Sequence, residues 1–148
     1  NKISYHIITD YWKDTGTPED IINANRAILE NKTSYFYGEK SDESLITGTV
    51  LIGKGTKILA NSKIEGPAIL GENCIIDNVS IGPNTSIGNN SKLENCIVKN
   101  SIIMEDCKIN CPIKIDKSII SNNSQITLEN SDYENKIFLL GEGTKIIL

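Results

Sequence analysis

A parallel β-solenoid is the fold class this sequence predicts from about Leu45 to Thr127, and three observations predict it. First, apolar residues recur at steps of five or six for fourteen successive steps: Ile46, Ile52, Ile58, Ile64, Leu70, Ile76, Ile81, Ile87, Leu93, Val98, Ile103, Ile109, Ile115, Ile120 and Ile126. Second, a mostly small residue stands four positions after each, as in Val50, Thr56, Ser62, Ala68, Cys74, Ser80, Thr85, Ser91, Ile97, Ile102, Cys107, Ile113, Ile119 and Ser124. Third, six of the eight aromatic residues lie before Gly38 and none occurs from Gly38 to Asp132. A helical period of about 3.6 or a long-strand period of about 2 does not generate this pattern, whereas a short strand and a turn repeated on flat faces does.

The elements follow in chain order. Lys2-Ile3-Ser4-Tyr5-His6-Ile7-Ile8 alternates like a strand and contains the only histidine, which reads as structural or solvent-facing. No secretory signal precedes it, and the abrupt start reads as a piece cut from a longer chain. Thr17-Pro18-Glu19-Asp20 reads as a helix start, with Thr17 as cap, Pro18 where its missing N–H costs nothing, and acids favoured by the helix dipole. Ile21, Ala24 and Ile28, with Ile22 and Leu29, recur at helical spacing, and Asn31 is a stop, so one helix is expected from about Pro18 to Glu30.

Grouping the apolar positions in threes gives about five coils, beginning at Ile46, Ile64, Ile81, Val98 and Ile115. The second faces should stack Ile52-Gly53-Lys54-Gly55-Thr56, Leu70-Gly71-Glu72-Asn73-Cys74, Ile87-Gly88-Asn89-Asn90-Ser91, Ile103-Met104-Glu105-Asp106-Cys107 and Ile120-Ser121-Asn122-Asn123-Ser124. Their fourth column, Gly55, Asn73, Asn90, Asp106 and Asn123, holds the residue types that best tolerate positive φ at a corner. A coil cannot bury its apolar edges alone, so both ends need caps. Leu140 and Ile146 resume the phase after a polar break from Glu129 to Asn135, which predicts a final strand or partial coil there.

Composition narrows the chemistry. The net charge is −4 without a basic stripe, which argues against nucleic acid. The longest apolar runs fall far short of the roughly 20 residues a membrane helix needs. Cys74, Cys96, Cys107 and Cys111 form no CxxC pair and have no histidine at metal-ligand spacing, so structural roles in a reduced, cytoplasmic compartment are expected. Within the solenoid, acids fall mainly at solvated turns. The exception is Asp14, on a loop that leads into a helix N-terminus, where turn residue and metal ligand are both open.

Trp12-Lys13-Asp14-Thr15-Gly16-Thr17-Pro18-Glu19-Asp20, followed by Ala24-Asn25-Arg26 and Leu29, resembles the segment closing the catalytic domain of sugar-1-phosphate nucleotidyltransferases. With Gly66-Pro67-Ala68-Ile69-Leu70-Gly71-Glu72-Asn73-Cys74 and Ile81-Gly82-Pro83-Asn84-Thr85-Ser86-Ile87-Gly88, the whole chain is most similar to long-form glucose-1-phosphate thymidylyltransferases. The resemblance implies a left-handed parallel β-helix, against the right-handed rule for parallel crossovers. It also implies a division into residues 1–44, the remnant of a catalytic domain, and residues 45–148, the β-helix with a C-terminal cap.

In that family the aspartate matching Asp14 holds magnesium with a second aspartate, and the sugar phosphate attacks the α-phosphate of a nucleoside triphosphate, releasing pyrophosphate. This sequence contains no counterpart of the Gly-rich nucleotide loop, its basic residues or the second aspartate. The resemblance therefore implies no catalytic residue within this chain, a single potential magnesium ligand in Asp14, and a role in assembly as a homotrimer. Two rivals stand beside it: an acyltransferase using acetyl-CoA on an amino-sugar phosphate, which the absence of a solenoid histidine disfavours, and a mannose-1-phosphate guanylyltransferase relative, which Asp14-Thr15-Gly16-Thr17-Pro18 fits less well.

Overall fold

The computed structural model describes residues 14–127 and the strands Asn135–Lys136, Leu139–Leu140 and Lys145–Ile147. The alternating segment around His6, and Trp12, lie outside the described residues. One helix, α1, runs over Pro18–Glu30, as the capping signals predict. Thr17 Oγ1 accepts from the Asp20 backbone N–H at 3.2 Å, and the C-cap Asn31 returns its own N–H to the Ile28 and Leu29 carbonyls. Every other element among the described residues is a strand of two or three residues.

The strands form three parallel sheets, each taking every third strand of the chain, of six, seven and seven strands. On the first face Ile46, Ile64, Ile81, Val98 and Ile115 stack in register. The second face stacks Ile52, Leu70, Ile87, Ile103 and Ile120, and the third stacks Ile58, Ile76, Leu93, Ile109 and Ile126. These are the five coils expected, with the expected start residues. At about 4.8 Å per level the five span roughly 20–24 Å.

Part-coils extend both ends. Tyr35–Phe36 and Glu39–Lys40 pair with Val50–Ile52 and Lys57–Ile58, so the ladders start ten residues before Leu45, the expected solenoid start. These two strands carry no inward hexad signal, and their residues are exposed, which hid them from the periodicity. At the other end Leu140 stacks on Ile120 and Ile146 on Ile126, in the phase expected for a terminal partial coil.

The core is one column of aliphatic side chains with a lining of small residues at the corners. The expected four-residue offset for the second inward residue holds after six-residue steps and fails after three of the four five-residue ones, Ile119 being buried at 7% exposure beside Ser118. Ser80 and Ile102 are half-buried and Ile97 is 40% exposed, whereas Val79, Cys96, Ser101 and Ser118 are buried. Strand alternation is the reason: the inward residue must stand two before the next anchor, so a five-residue step removes a residue from the turn and leaves that spacing intact. Val79, absent from the expected inward set, therefore points inside, at 1% exposure.

Corner geometry repeats up the stack. Gly55, Asn73, Asn90, Asp106 and Asn123 all have positive φ, between 55° and 75°, as their residue types predict. Two further left-handed columns were not read from the sequence: Asn61, Asn78 and Asn95 at the next corner, and Asn84, Asn100 and Lys117 at the third. Glycine is required just after the second face, where a Cβ on Gly53 would stand 2.6 Å from the backbone of Gly71 in the next coil. No buried side-chain N or O among the described residues lacks a hydrogen-bond partner, because corner hydroxyls bond to turn carbonyls, as Thr56 Oγ1 does to Gly71 at 2.6 Å.

Candidate functional site

The loop Asp14-Thr15-Gly16 enters α1 at the side of the solenoid. Asp14 is exposed, and its helix start is closed by Thr17, whose Oγ1 also donates to Asp20 Oδ2 at 2.6 Å. A cleft of about 640 Å³ separates the first half of the helix from the corner that joins the first face to the second. Thr17, Pro18, Glu19, Ile22, Asn23 and Arg26 line the helix side, and Asn84, Asn100 and Lys117, from the third, fourth and fifth coils, line the other. The chain then leaves Asn31 and enters its first strand at Tyr35, at the opposite end of the stack. The helix thus runs along the solenoid, against the direction in which the coils are laid down, and its 13 residues span about 20 Å, close to the height of the coils beside it.

The cleft's two solenoid amides are committed to the corner, and Arg26 to its own helix. Asn84 Nδ2 donates to Asn100 Oδ1 at 3.1 Å, and Asn100 Nδ2 donates to Asp116 Oδ1 at 3.0 Å, a ladder that ties successive corners together. Asp116 also faces Lys99 at 3.4 Å, and Arg26 Nε donates to Glu30 at 2.9 Å on the exposed helix surface. These exposed pairs are each worth a fraction of a kcal/mol. Amides spent on a ladder are structural, so the cleft has the make-up of a packing seam between helix and corner rather than of a reaction centre.

Asp14 fits magnesium as one carboxylate donor. A cation of that kind needs several oxygens, and no group of three or more His, Cys, Asp or Glu able to hold a metal occurs among the described residues. The cysteines, expected to be structural, are all free and buried. Burial pushes every thiol up from its ordinary value, Cys111 to about 11, and keeps them protonated and unreactive. Cys74 and Cys107 take the inward corner place that Thr56, Ser91 and Ser124 take in neighbouring coils, and their Sγ atoms lie 3.1 Å from the carbonyls of Gly88 and Ser121. Among the described residues no helix is long and apolar enough to cross a membrane.

Sequence reasoning missed the residues that join helix to solenoid. Asn25 Nδ2 donates to the Asn84 carbonyl at 3.2 Å, and Ser86 Oγ donates to Asn25 Oδ1 at 2.6 Å. Leu29, one turn on, is the single buried residue of α1. The inward stripe is therefore Ile22, Asn25 and Leu29, while Ile21 and Ile28 of the stripe expected from spacing are 38% and 58% exposed. Two isoleucines on the far face, Ile21 and Ile28, made the wrong stripe look as apolar as the right one. The signal that could have found the right one is Ser86, which interrupts the outward apolar column of the second face.

Comparison with known proteins agrees with this architecture. The family described as GMPPB C-terminal domain matches residues 75–146, and the one described as bacterial transferase hexapeptide (six repeats) matches residues 49–78. A glucose-1-phosphate thymidylyltransferase of Streptomyces antibioticus is 33% identical over 140 residues, covering 95% of this chain and 39% of that protein. The low-salt glycan biosynthesis nucleotidyltransferase Agl11 of Haloferax volcanii is 30% identical over 148 residues, covering 99% of this chain and 42% of that protein. Among solved structures, LpxA from Acinetobacter baumannii aligns over 78% of this chain and 67% of its own, with 14% identity and a TM-score of 0.40. The chain spans about two-fifths of the length of the curated relatives it matches.

Proposed function

Since the chain corresponds to the hexapeptide-repeat C-terminal domain of a glucose-1-phosphate thymidylyltransferase-like protein, we propose that it serves as the assembly platform of a magnesium-dependent enzyme of nucleotide-sugar synthesis. That enzyme would join a nucleoside triphosphate and a sugar 1-phosphate and release pyrophosphate. The carrying observation is the continuity of the match, which takes in nearly the whole chain, the helix and its capping loop as well as the coils. On this reading the segment up to about residue 44 closes a catalytic domain that lies elsewhere, the coils wind left-handed, and the setting is cytoplasmic. Magnesium, when bound, would supply charge neutralisation on the transferring phosphate, and Asp14 would give it one carboxylate oxygen. The solenoid's part is to hold that loop, through α1, on a rigid stack.

Assembly is proposed as a homotrimer. Leu45, Leu59, Ile97 and Met104 stand 38–53% exposed on the faces and corners, and Ile75 is half-buried. A three-fold arrangement would cover such positions on three equivalent flanks. Catalysis is tested separately. Incubated with a nucleoside triphosphate, glucose 1-phosphate and magnesium, the chain is expected to release no more pyrophosphate than its Asp14→Ala variant, and release above that level overturns the platform reading. Saturable binding of acetyl-CoA to the same sample would move the assignment to an acyltransferase.

A further inference from the structure

A solenoid is nearly the same at every level, which poses a problem for anything docked along it. Successive coils are about 4.8 Å apart and an α-helix repeats every 5.4 Å, so a helix lying on the stack can slide by one turn and meet almost the same surface one coil away. Apolar contacts alone do not select among such positions, because they are non-directional. The outward column beside α1 is of this kind: Leu51, Ile69, Ser86, Ile102 and Ile119 stack in register through coils one to five. Four of the five are large aliphatic residues and one is a hydroxyl.

We propose that Asn25 and Ser86 form a register key that sets α1 at the third coil and nowhere else. Two features make the pair selective. Asn25 sits in the middle of the inward stripe between Ile22 and Leu29, where an amide facing a Leu or Ile in a half-buried seam would forfeit its hydrogen bond. Its other bond, to the Asn84 carbonyl, has an equivalent one coil on, in the carbonyl of Asn100, so the backbone bond holds the helix without choosing a level. Ser86 makes the choice. A single polar residue in an apolar seam fixes register in coiled coils by the same means, at some cost in stability. Because α1 is entered from the Asp14 loop, the key also fixes the height of that loop on the stack. The key holds whether or not the loop serves a nucleotidyltransferase.

The test moves the key. Spin labels at Asn23→Cys on the helix and Lys114→Cys on the first face, both at exposed positions, report the axial position of α1, the four native cysteines being buried. Ser86→Thr keeps the hydroxyl and is expected to keep the parent distance. Ser86→Ile is expected to broaden the distance distribution. In the double variant Ser86→Ile with Ile102→Ser the hydroxyl stands one coil further on, and the helix is expected to move about 5 Å along the stack, one coil spacing, which shifts the label distance by up to that amount. Thermal unfolding of the solenoid checks that each variant is folded. The parent distance in every folded variant, or no defined distance once the hydroxyl is transplanted, overturns the key, as does a Ser86→Thr protein that behaves like Ser86→Ile.

Discussion

At a corner or a face of this solenoid, one side chain meets its counterparts in the coils directly above and below, so a substitution is judged by its column. Ile87 is 2% exposed, with Leu70 and Ile103 as stacked neighbours. Ile87→Asp puts an unpaired carboxylate between them and costs several kcal/mol, a large part of a domain stability of about 5–15 kcal/mol. Loss of the cooperative thermal transition is expected, and an unchanged midpoint would place Ile87 outside the core. Asn84→Asp should be milder, about 1 kcal/mol, since it loses the amide bond to Asn100 at a corner that tolerates change. Lys117 is the opposite case: it holds φ of 49° in a column that otherwise carries asparagine. Lys117→Asn is expected to stabilise by about 0.5–1 kcal/mol, because asparagine visits the left-handed region at less cost. The thiols set a pH limit. A group whose folded pKa is raised gives its full contribution below the unfolded value of about 8.5 and loses it as pH rises through the folded value. For Cys111, at about 11, stability should fall between these limits, and Cys111→Ala should flatten the fall in thermal unfolding measured from pH 8 to 11.

Among the elements, α1 was legible in its limits and not in its orientation. Thr17, Pro18 and Asn31 are local signals whose physics is complete within the segment, so the helix ends fall where the sequence places them. The buried stripe depends on a partner that the segment does not contain, and Asn25 was hidden because its role exists only opposite Ser86. The strands divide in the same way. Columns of Ile and Leu announced the three faces, while Tyr35–Phe36 and Glu39–Lys40, exposed edge strands held by backbone pairing, left no apolar period. Inward residues after five-residue steps were misread because the offset was counted forward from the last anchor, whereas alternation fixes it backward from the next one. The orientation of α1 is open to a direct check. Leu29→Ala should cost about 2–4 kcal/mol or release the helix, and Ile28→Glu should be nearly neutral. Hydrogen exchange of the helix amides measures both, and the reverse order would turn the helix over.

For the molecule as a whole, no candidate centre is assembled among the described residues. Asp14 stands exposed on its loop, and the amides of Asn84 and Asn100 are spent on the corner ladder. What the chain offers is a rigid, repeating body with a helix strapped along one corner and exposed apolar residues on its flanks. Those features suit holding subunits together. Function was legible in the sequence only through the resemblance, because the motif around Asp14 implies partner groups that no spacing or composition in this sequence points to. Assembly is thus the central claim, and light scattering coupled to size exclusion tests it most directly. The chain has a mass of 16.3 kDa. The account predicts a mass about three times that, unchanged on dilution through the micromolar range, and a mass equal to one chain at every concentration would contradict it.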